Sequence, residues 1–291
     1  MKNIEQKIFE KANTLVEALP YIKNFYGKTF VIKYGGAAQK ESHLKKFFSQ
    51  DIVLLNFIGI KPIVVHGGGP KITETMKKYG KEPSFIHGHR VTDKETMEIV
   101  EMVLGVLNKE IVQLINSQGG KAVGLTGKDG GLLRAVKKYL KINNEETDLG
   151  FVGDVEYVNV EILQTLQNDG FIPVIAPIGY DTAGNTYNIN ADTVAALVSV
   201  AAQAEKLIVL TDVKGISDEE GNLIATLKAS EALRLIEENV IKGGMIPKVY
   251  ACLNALRGGV KKAHIIDGRV PHSLLLEIFT KEGIGTEIVL E

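Results

Sequence analysis

Short apolar runs alternate along the chain with segments in which apolar residues recur every three or four positions. The runs are rich in β-branched residues, as is typical of strands that are buried on both faces of a sheet. They cover residues 30–32, 62–65, 171–175, 207–210 and 263–266. Strands that alternate with helices are joined by crossovers that make them parallel. The pattern therefore predicts an α/β fold, a three-layer αβα sandwich around a mostly parallel central sheet.

Two hairpins interrupt this alternation, and one long helix is its clearest helical segment. Residues 149–158 and 180–187 have the pattern of small hairpins, which we expect at the edge or the mouth of the sheet. The clearest helix begins at a predicted capping box, Thr92 with Glu95, and continues to Leu114 with apolar residues spaced by three and four. The sequence thus predicts edge hairpins and one long helix beside the sheet.

The first 25 residues precede the first predicted strand and have the pattern of a separate amphipathic helix. Its apolar stripe consists of Ile4, Ile8, Ala12, Leu15 and Leu19. Such a stripe usually packs on its own domain. The alternative is a helix that docks on another subunit.

The composition of the chain argues against several classes of binding partner. Lys and Arg number 34 and Asp and Glu 35, so the net charge of −1 provides no general field for a nucleic acid or an anionic membrane. No apolar stretch approaches the ~20 residues that cross a bilayer. The single cysteine, Cys252, excludes an intramolecular disulfide and favours the cytoplasm. The 30 glycines among 291 residues exceed the usual share of ~7%, an excess that we attribute mainly to a binding site.

Glycine-rich loops follow two of the predicted strands. Lys-Tyr-Gly-Gly occupies positions 33–36 and His-Gly-Gly-Gly-Pro positions 66–70, with a helix expected from about Lys71. In doubly wound sheets, ligands bind beyond the carboxyl ends of the strands, where glycine amides and helix N-termini bind anions. Either loop alone can be a tight turn without a ligand. Two such loops, one of them beginning with Lys33, predict an anion site.

Two polar segments are expected at the same crevice, and each also has a simpler interpretation. Arg90 can clamp a carboxylate in a bidentate fork, although a lone arginine is more often a surface residue. Asn188 and Asp192 lie four residues apart at a predicted helix start, where Asn190 or Asp192 can also be no more than an N-cap.

Two further segments follow the same logic. Residues 211–213, Thr-Asp-Val, follow a strand as a nucleotide contact does, or Asp212 begins an ordinary turn. Lys248 lies near the start of a helix that opens with Gly243 and Gly244, where its charge opposes the helix dipole unless an anion lies in front of it.

These features match the needs of phosphoryl transfer. Two lysines neutralise charge, glycine amides surround the transferring group, and a carboxylate holds the lysines in place. No catalytic base is evident in the sequence. An acceptor carboxylate, with a pKa near ~4, is already an anion at neutral pH and needs only positioning and charge neutralisation.

The same segments resemble those of the acetylglutamate kinases, a branch of the amino-acid kinase family. They cover residues 33–36, 66–70, 88–93, 187–192, 210–213 and 243–248. Lys-x-Gly-Gly alone is similar to the wider family, whereas the arginine segment and the Asn-x-Asn-Ala-Asp segment make the resemblance specific. It implies ATP-dependent phosphorylation of the side-chain carboxylate of N-acetyl-L-glutamate, the second step of arginine biosynthesis.

The resemblance also implies a role for each matching residue. Lys33 and Lys248 would stabilise the transition state, and Asp192 would orient both lysines. The implied acetylglutamate ligands are Gly68, Gly69, Arg90 and Asn188. The implied nucleotide contacts are Gly36, Thr211, Asp212 and Val213. Mg²⁺ would be held mainly through the phosphates of ATP, without a metal site in the protein.

The two ends of the chain resemble those of the arginine-inhibited members. The resemblance implies that residues 1–25 interlace dimers into a homohexamer and that L-arginine binds between this helix and the C-terminal segment, with Glu277 and Gly283 as candidate ligands. It divides the rest into a lobe at 26–178, for acetylglutamate and the dimer contact, and a lobe at 179–291, for ATP and arginine. Two alternatives stay open: a related kinase acting on carbamate, aspartate or UMP, and a non-catalytic arginine sensor.

Overall fold

The structure is a computed structural model that describes residues 12–39, 41–142 and 145–291. The strands are β1 (Thr29–Tyr34), β2 (Lys61–His66), β3 (Phe85–Ile86), β4 (His89–Arg90), β5 (Ala122–Leu125), β6 (Leu133–Ile142), β7 (Glu145–Val158), β8 (Ile172–Ile175), β9 (Ile178–Tyr180), β10 (Thr186–Asn188), β11 (Lys206–Thr211), β12 (Thr226–Lys228), β13 (Lys262–Asp267) and β14 (Thr286–Val289). The helices are α1 (Leu19–Phe25), α2 (Ser42–Phe57), α3 (Gly69–Lys78), α4 (Lys94–Ser117), α5 (Glu161–Asn168), α6 (Ala191–Ala201), α7 (Ala229–Glu237), α8 (Met245–Arg257) and α9 (Ser273–Phe279).

An eight-stranded sheet forms the centre of the molecule, in the order β12-β14-β13-β11-β1-β2-β8-β5. Among these described strands, neighbours are parallel except for β13 and β14. All five predicted strands belong to this sheet. Since β1 lies between β2 and β11, the direction of winding reverses at β1, and the carboxyl end of β1 opens into the crevice expected at such a point.

Helices cover both faces of the sheet, which confirms the three-layer αβα prediction. The alternation of side chains along β1 divides the core in two. Val31 packs with residues of α6 and α8 on one face, while Phe30 and Ile32 pack with residues of α2 and α9 on the other. Within the described part of the chain, no helix has both the length and the apolar character needed to cross a membrane.

The hairpin prediction for residues 149–158 is wrong. These residues lie within β7, which pairs antiparallel with β6, so the hairpin is longer and begins near Leu133. The prediction for residues 180–187 is confirmed, because β9 and β10 pair antiparallel. The four strands form a small closed barrel beside the central sheet rather than separate flaps.

Two helix starts differ from the prediction by one or two residues. The N-cap of α4 is Asp93, whose side chain accepts a hydrogen bond from the amide of Thr96, and Thr92 instead donates to the carbonyl of Arg90. Helix α3 already begins at Gly69, with Pro70 in its first turn. Helix α3 thus begins closer to the glycine loop that precedes it, whereas α4 begins one residue farther from Arg90 than predicted.

The predicted N-terminal helix lies partly outside the described residues, which exclude Ile4 and Ile8. Residues 12–17 are helical and lead into α1. Leu15 and Leu19 of the stripe are 76% and 59% exposed in the single chain. Phe25, at the end of α1, is buried against the sheet.

Candidate active site

A buried carboxylate joins the two predicted lysines. Asp192 lies in the first turn of α6, Lys33 near the carboxyl end of β1, and Lys248 in the first turn of α8. The Nζ atoms of Lys33 and Lys248 lie 3.0 and 2.9 Å from the two carboxylate oxygens of Asp192. Since one carboxylate serves two ammonium groups, the cluster has an excess of positive charge.

Burial and charge act in opposite directions on the pKa values of this cluster. Burial tends to raise the pKa of Asp192, but the two neighbouring lysines outweigh it and hold that pKa below its usual value. Burial lowers the pKa of Lys33, and Asp192 opposes this effect. An anion that binds in front of these lysines would further stabilise their charged forms.

The first glycine loop makes room for the Lys33 ammonium. A methyl group added at Gly35 would lie 2.5 Å from the Nζ of Lys33, so a larger residue there would displace the lysine. Gly36 has φ +69°, and a Cβ atom there would lie 3.5 Å from the backbone nitrogen of Asp212. The loop thus meets the carboxyl end of β11.

Arg90 is buried, so its interpretation as a surface residue is wrong. Its guanidinium donates hydrogen bonds to the carbonyl of Gly69, at 3.0 Å, and to the hydroxyl of Thr73, at 2.8 Å. It also lies 4.7 Å from the ring centroid of Phe85, on the short β3–β4 hairpin. These contacts hold the guanidinium against the second glycine loop.

The start of α6 places Asn188 and Asp192 at the same cavity. Asn190 is the N-cap, and its side chain accepts hydrogen bonds from the amides of Asp192 and Thr193. This cap leaves the carboxylate of Asp192 free to face the lysines. Asn188 donates to the hydroxyl of Thr92 at 3.4 Å, which links the barrel to the segment of Arg90.

A cavity of about 230 Å³ lies at the carboxyl ends of β1 and β2. The predicted residues that line it are Lys33, Gly68, Gly69, Arg90, Asn188 and Asp192. Lys248 is joined to it through Asp192. The cavity brings together the cluster of lysines around Asp192, the backbone of the second glycine loop and the buried guanidinium of Arg90. Such an arrangement binds anions.

None of the predicted nucleotide residues, Gly36, Thr211, Asp212 and Val213, is in the lining of this cavity. Thr211 ends β11 and accepts, through its carbonyl oxygen, a hydrogen bond from the amide of Gly268. Val213 lines a separate cavity of about 590 Å³. Sequence reasoning missed most of the lining of this second cavity, which includes Ser217, Asp218, Asn239, Ile241 and Met245. Its only sequence signal is its proximity to Gly243 and Gly244.

The described residues contain no group of three or more His, Cys, Asp or Glu side chains arranged to hold a metal ion.

A third cavity, of about 350 Å³, contains both candidate effector residues and lies between α1 and the C-terminal segment. Glu277 is buried there, 2.6 Å from the Nδ1 of His264, and accepts hydrogen bonds from the amides of Ile284 and Gly285. Lys206 lies 3.1 Å from the other ring nitrogen of His264. We call this the polar pocket; its charged lining residues are Lys206, Lys262, Lys281, Glu277, Glu282 and Glu287.

The groups of the polar pocket are coupled. Burial lowers the pKa of His264, and its hydrogen bond with Glu277 opposes this change. Burial tends to raise the pKa of Glu277, but its partners, His264 first among them, keep that pKa below its usual value. Gly283 adopts φ +63°, and a Cβ atom there would lie 2.9 Å from the Glu277 carboxylate.

Comparison with known proteins gives a consistent result. Residues 28–267 match the model of the amino acid kinase family. An acetylglutamate kinase from Persephonella marina is 58% identical over 98% of this chain and 99% of its own length. Another, from Geotalea daltonii, is 58% identical over 97% of this chain and 99% of its own length.

Solved structures agree in fold. The N-acetylglutamate synthase from Neisseria gonorrhoeae, solved with coenzyme A and N-acetyl-glutamate, is 30% identical with a TM-score of 0.87, and the match covers 96% of this chain and 63% of the synthase. The same synthase was also solved with coenzyme A and L-arginine. That structure is 29% identical to this chain with a TM-score of 0.84, and the match covers 96% of this chain and 65% of the synthase. A carbamate kinase from Giardia lamblia, at 16% identity and a TM-score of 0.65 over 91% of this chain and 99% of its own, shares the fold.

Proposed function

The chain belongs to the amino acid kinase family and, within it, to the acetylglutamate kinases, and from this premise we propose how its residues perform the reaction. That reaction is the phosphorylation of N-acetyl-L-glutamate in arginine biosynthesis. Identities of 56–58% over nearly the whole chain argue against a related kinase for carbamate, aspartate or UMP. The observation that carries our assignment of roles is the cluster of Lys33, Asp192 and Lys248.

We propose that Lys33 and Lys248 stabilise the transferring phosphoryl group. The side-chain carboxylate of the substrate attacks the γ-phosphorus of ATP, the bond to the bridging oxygen of ADP breaks, and no proton has to be removed. Negative charge is distributed over the phosphoryl oxygens during this step, and the two ammonium groups neutralise it. Asp192 orients both lysines, since each of its oxygens is within 3.0 Å of one Nζ atom.

Arg90 and Asn188 are the proposed ligands of N-acetyl-L-glutamate, with Gly68 and Gly69 as backbone donors. All four residues line the cavity of about 230 Å³ that also contains Lys33. A buried guanidinium suits a substrate carboxylate because it forms two parallel hydrogen bonds. The substrate and the phosphoryl group therefore meet in a space where the protein provides excess positive charge.

ATP is the phosphoryl donor that a kinase family implies, and we propose that it binds along Gly36, Thr211, Asp212 and Val213. The cavity of about 590 Å³ beside Val213 is large enough to hold its base and ribose. Mg²⁺ commonly binds through substrate phosphates with few protein ligands. We propose that it enters this site on the phosphates of ATP, where it would neutralise part of their charge.

A hydroxamate trap for the acyl phosphate tests this function. The purified chain with ATP, Mg²⁺, N-acetyl-L-glutamate and hydroxylamine is expected to form the acyl hydroxamate, with carbamate and L-aspartate as control acceptors. Transfer to a control acceptor but not to N-acetyl-L-glutamate would overturn the assignment. Arginine binding without any turnover would favour the non-catalytic sensor.

We further propose that L-arginine binds in the polar pocket and inhibits the enzyme. The pocket offers both charge signs, as a zwitterion with a cationic side chain requires, with Glu277 and Gly283 beside each other. The similar synthase of known structure was solved with L-arginine, which supports an arginine site in this fold. The lobe at 26–178 would hold acetylglutamate and the dimer contact, and the lobe at 179–291 would hold ATP and arginine.

We propose that residues 1–25, the predicted N-terminal helix, join dimers into a hexamer. Leu15 and Leu19 are largely exposed in the single chain, as a stripe that packs on another subunit would be. Deletion of residues 1–19 is expected to convert hexamers into dimers, measured by light scattering, and to weaken inhibition by arginine. The variant Leu15→Glu tests the same contact in a full-length chain. Unchanged size and unchanged inhibition in both variants would refute this proposal.

A further inference from the structure

His66 is a buried histidine at the end of β2 to which the proposed mechanism gives no role. It is 0% exposed and immediately precedes the second glycine loop. Its Nδ1 lies 3.0 Å from the carbonyl oxygen of Gly67, and its Nε2 lies 3.2 Å from the side-chain nitrogen of Asn108, on α4. The ring therefore connects the long helix to the loop.

The neighbours of Asn108 determine which ring nitrogen carries the proton. The Nδ2 of Asn108 donates to the carbonyl of Val174 at 2.9 Å and has a second hydrogen for the Nε2 of His66. An amide nitrogen only donates, so Nε2 accepts and Nδ1 carries the hydrogen that is donated to Gly67. Burial lowers the pKa of His66 to about 4, which keeps the ring neutral at physiological pH.

Gln39 is a second donor to the same carbonyl. Its Nε2 lies 3.3 Å from the carbonyl oxygen of Gly67 and 3.0 Å from that of Tyr34. Gln39 belongs to the short 3₁₀ turn that follows the first glycine loop. The carbonyl of Gly67 is thus held by one donor from each of the two loops that surround the proposed phosphoryl site.

Fixing this carbonyl also fixes the next amide. In a trans peptide the C=O and N–H bonds point in opposite directions, and the described chain contains no cis peptide bond. The N–H of Gly68 therefore points away from the His66 ring and Gln39. As the residue before helix α3, Gly68 has an N–H group without a partner inside the helix, and it lines the cavity of Lys33 and Arg90.

We propose that His66 and Asn108, assisted by Gln39, are positioning residues that direct the Gly68 N–H toward the transferring phosphoryl group. Peptides between glycines rotate easily because no Cβ atom restrains them, so this loop needs an external restraint. The proposal rests on the proposed function, and it adds a contact with the phosphoryl group to the N-acetyl-L-glutamate contact assigned above to Gly68.

Gly124 supports this arrangement independently. A Cβ atom at Gly124 would lie 1.9 Å from the side-chain oxygen of Asn108 and could not be accommodated without moving that side chain. The absence of a side chain on β5 therefore leaves space for the amide that orients His66. The variant Gly124→Ala is expected to displace Asn108 and thereby lower kcat, although Gly124 itself does not line the cavity.

Two substitutions of His66 separate positioning from packing. The side-chain nitrogen of an asparagine and the Nδ1 of a histidine are both three bonds from Cα. The variant His66→Asn can therefore still donate a hydrogen bond to the carbonyl of Gly67. His66→Gln places its amide one bond farther and removes that donor. We expect kcat to fall by ~10–100-fold in His66→Gln and by less than ~5-fold in His66→Asn, since a misdirected donor mainly affects the transition state. The KM values for ATP and N-acetyl-L-glutamate are expected to change less than ~3-fold in both.

The hydroxamate assay on the wild-type chain is the reference. An active wild type with equal kcat losses in the two variants, or with losses confined to KM, would overturn the positioning role and leave the proposed function intact. An inactive wild type would overturn the proposed function, and this role with it. Circular dichroism and thermal unfolding show whether each variant folds. If a histidine variant does not fold, Gln39→Leu, at a half-buried position, is decisive: a fall in kcat of ~3–10-fold supports the role, and an unchanged kcat refutes it.

Discussion

The proposed active site and the polar pocket lie at opposite ends of the same strand. Strand β11 begins with Lys206 in the polar pocket and ends with Thr211 beside the first glycine loop. Five residue steps of ~3.3 Å separate these ends by ~17 Å. Both regions bury a lysine and a carboxylate close together. They differ in how the charges are balanced.

In the active site, cations outnumber anions, whereas in the polar pocket they are matched. Among the described residues in the lining of the cavity, Asp192 is the one carboxylate, and it accompanies the cations of Lys33, Lys248 and Arg90. The polar pocket has three lysines and three glutamates in its lining. Uncompensated positive charge suits two anionic substrates, and balanced charge suits a zwitterion. Similar residue types therefore form sites for different ligands when the ratio of cationic to anionic side chains changes.

The largest effect is expected from Lys33→Met, which should impair the active site and leave the polar pocket intact. Loss of an ammonium group aimed at the transferring phosphoryl group should lower kcat by at least ~10³-fold. Arginine affinity, measured by calorimetry, should stay within ~2-fold. Lys206→Met is the matched variant in the polar pocket and should weaken arginine binding while turnover persists. Parallel losses of both properties in either variant would contradict the separation of the two sites.

An intermediate effect is expected from Gly283→Ala in the polar pocket. The added methyl group would be strained at φ +63° and would crowd the Glu277 carboxylate. The arginine concentration for half-inhibition should rise by ~10–100-fold, while kcat without arginine stays within ~2-fold. Gly259→Ala, at φ +101° with open space around it, is a control for backbone strain outside the pocket. Equal sensitivity of the two variants to arginine would contradict the site.

A further difference concerns the pH dependence of stability, because each region buries a histidine. His264 has Glu277 beside it, whereas His66 has only neutral partners. The pKa of His66 is lowered by burial from about 6.5 to about 4, so its contribution to the free energy of unfolding is complete above pH 6.5 and is lost as the pH falls toward 4. The full loss is about 3 kcal/mol at 1.36 kcal/mol per pH unit.

Denaturant unfolding of the wild type and His66→Asn between pH 4 and pH 7 measures this contribution. Asp51, whose pKa is raised by burial to about 6, acts in the opposite direction, since it favours folding as it becomes protonated. The difference between the two proteins removes that effect. A difference that does not change with pH would contradict the assignment.

Sequence periodicity was most informative where burial was complete. The five predicted strands are buried on both faces, so their apolar runs were distinctive. Strand β6 was missed because its half-exposed sequence contains Lys137, Lys138 and Lys141, which hide the strand pattern. Glycine also has a purely conformational use that the sequence did not reveal: 16 of the 30 glycines adopt positive φ, and several of them, such as Gly119 and Gly170, lie outside the cavities described above.

The sequence by itself determined the fold class, the two glycine loops and the residue types needed for phosphoryl transfer, because these depend on local composition and spacing. The resemblance implied that Asp192 orients Lys33 and Lys248, and the tertiary structure supplied the distances of 3.0 and 2.9 Å. Only the tertiary structure decided that Arg90 is buried and that the polar pocket lies at the far end of β11 from the active site. These contacts join residues far apart in the chain. They depend on the order of strands in the sheet, which local periodicity does not encode.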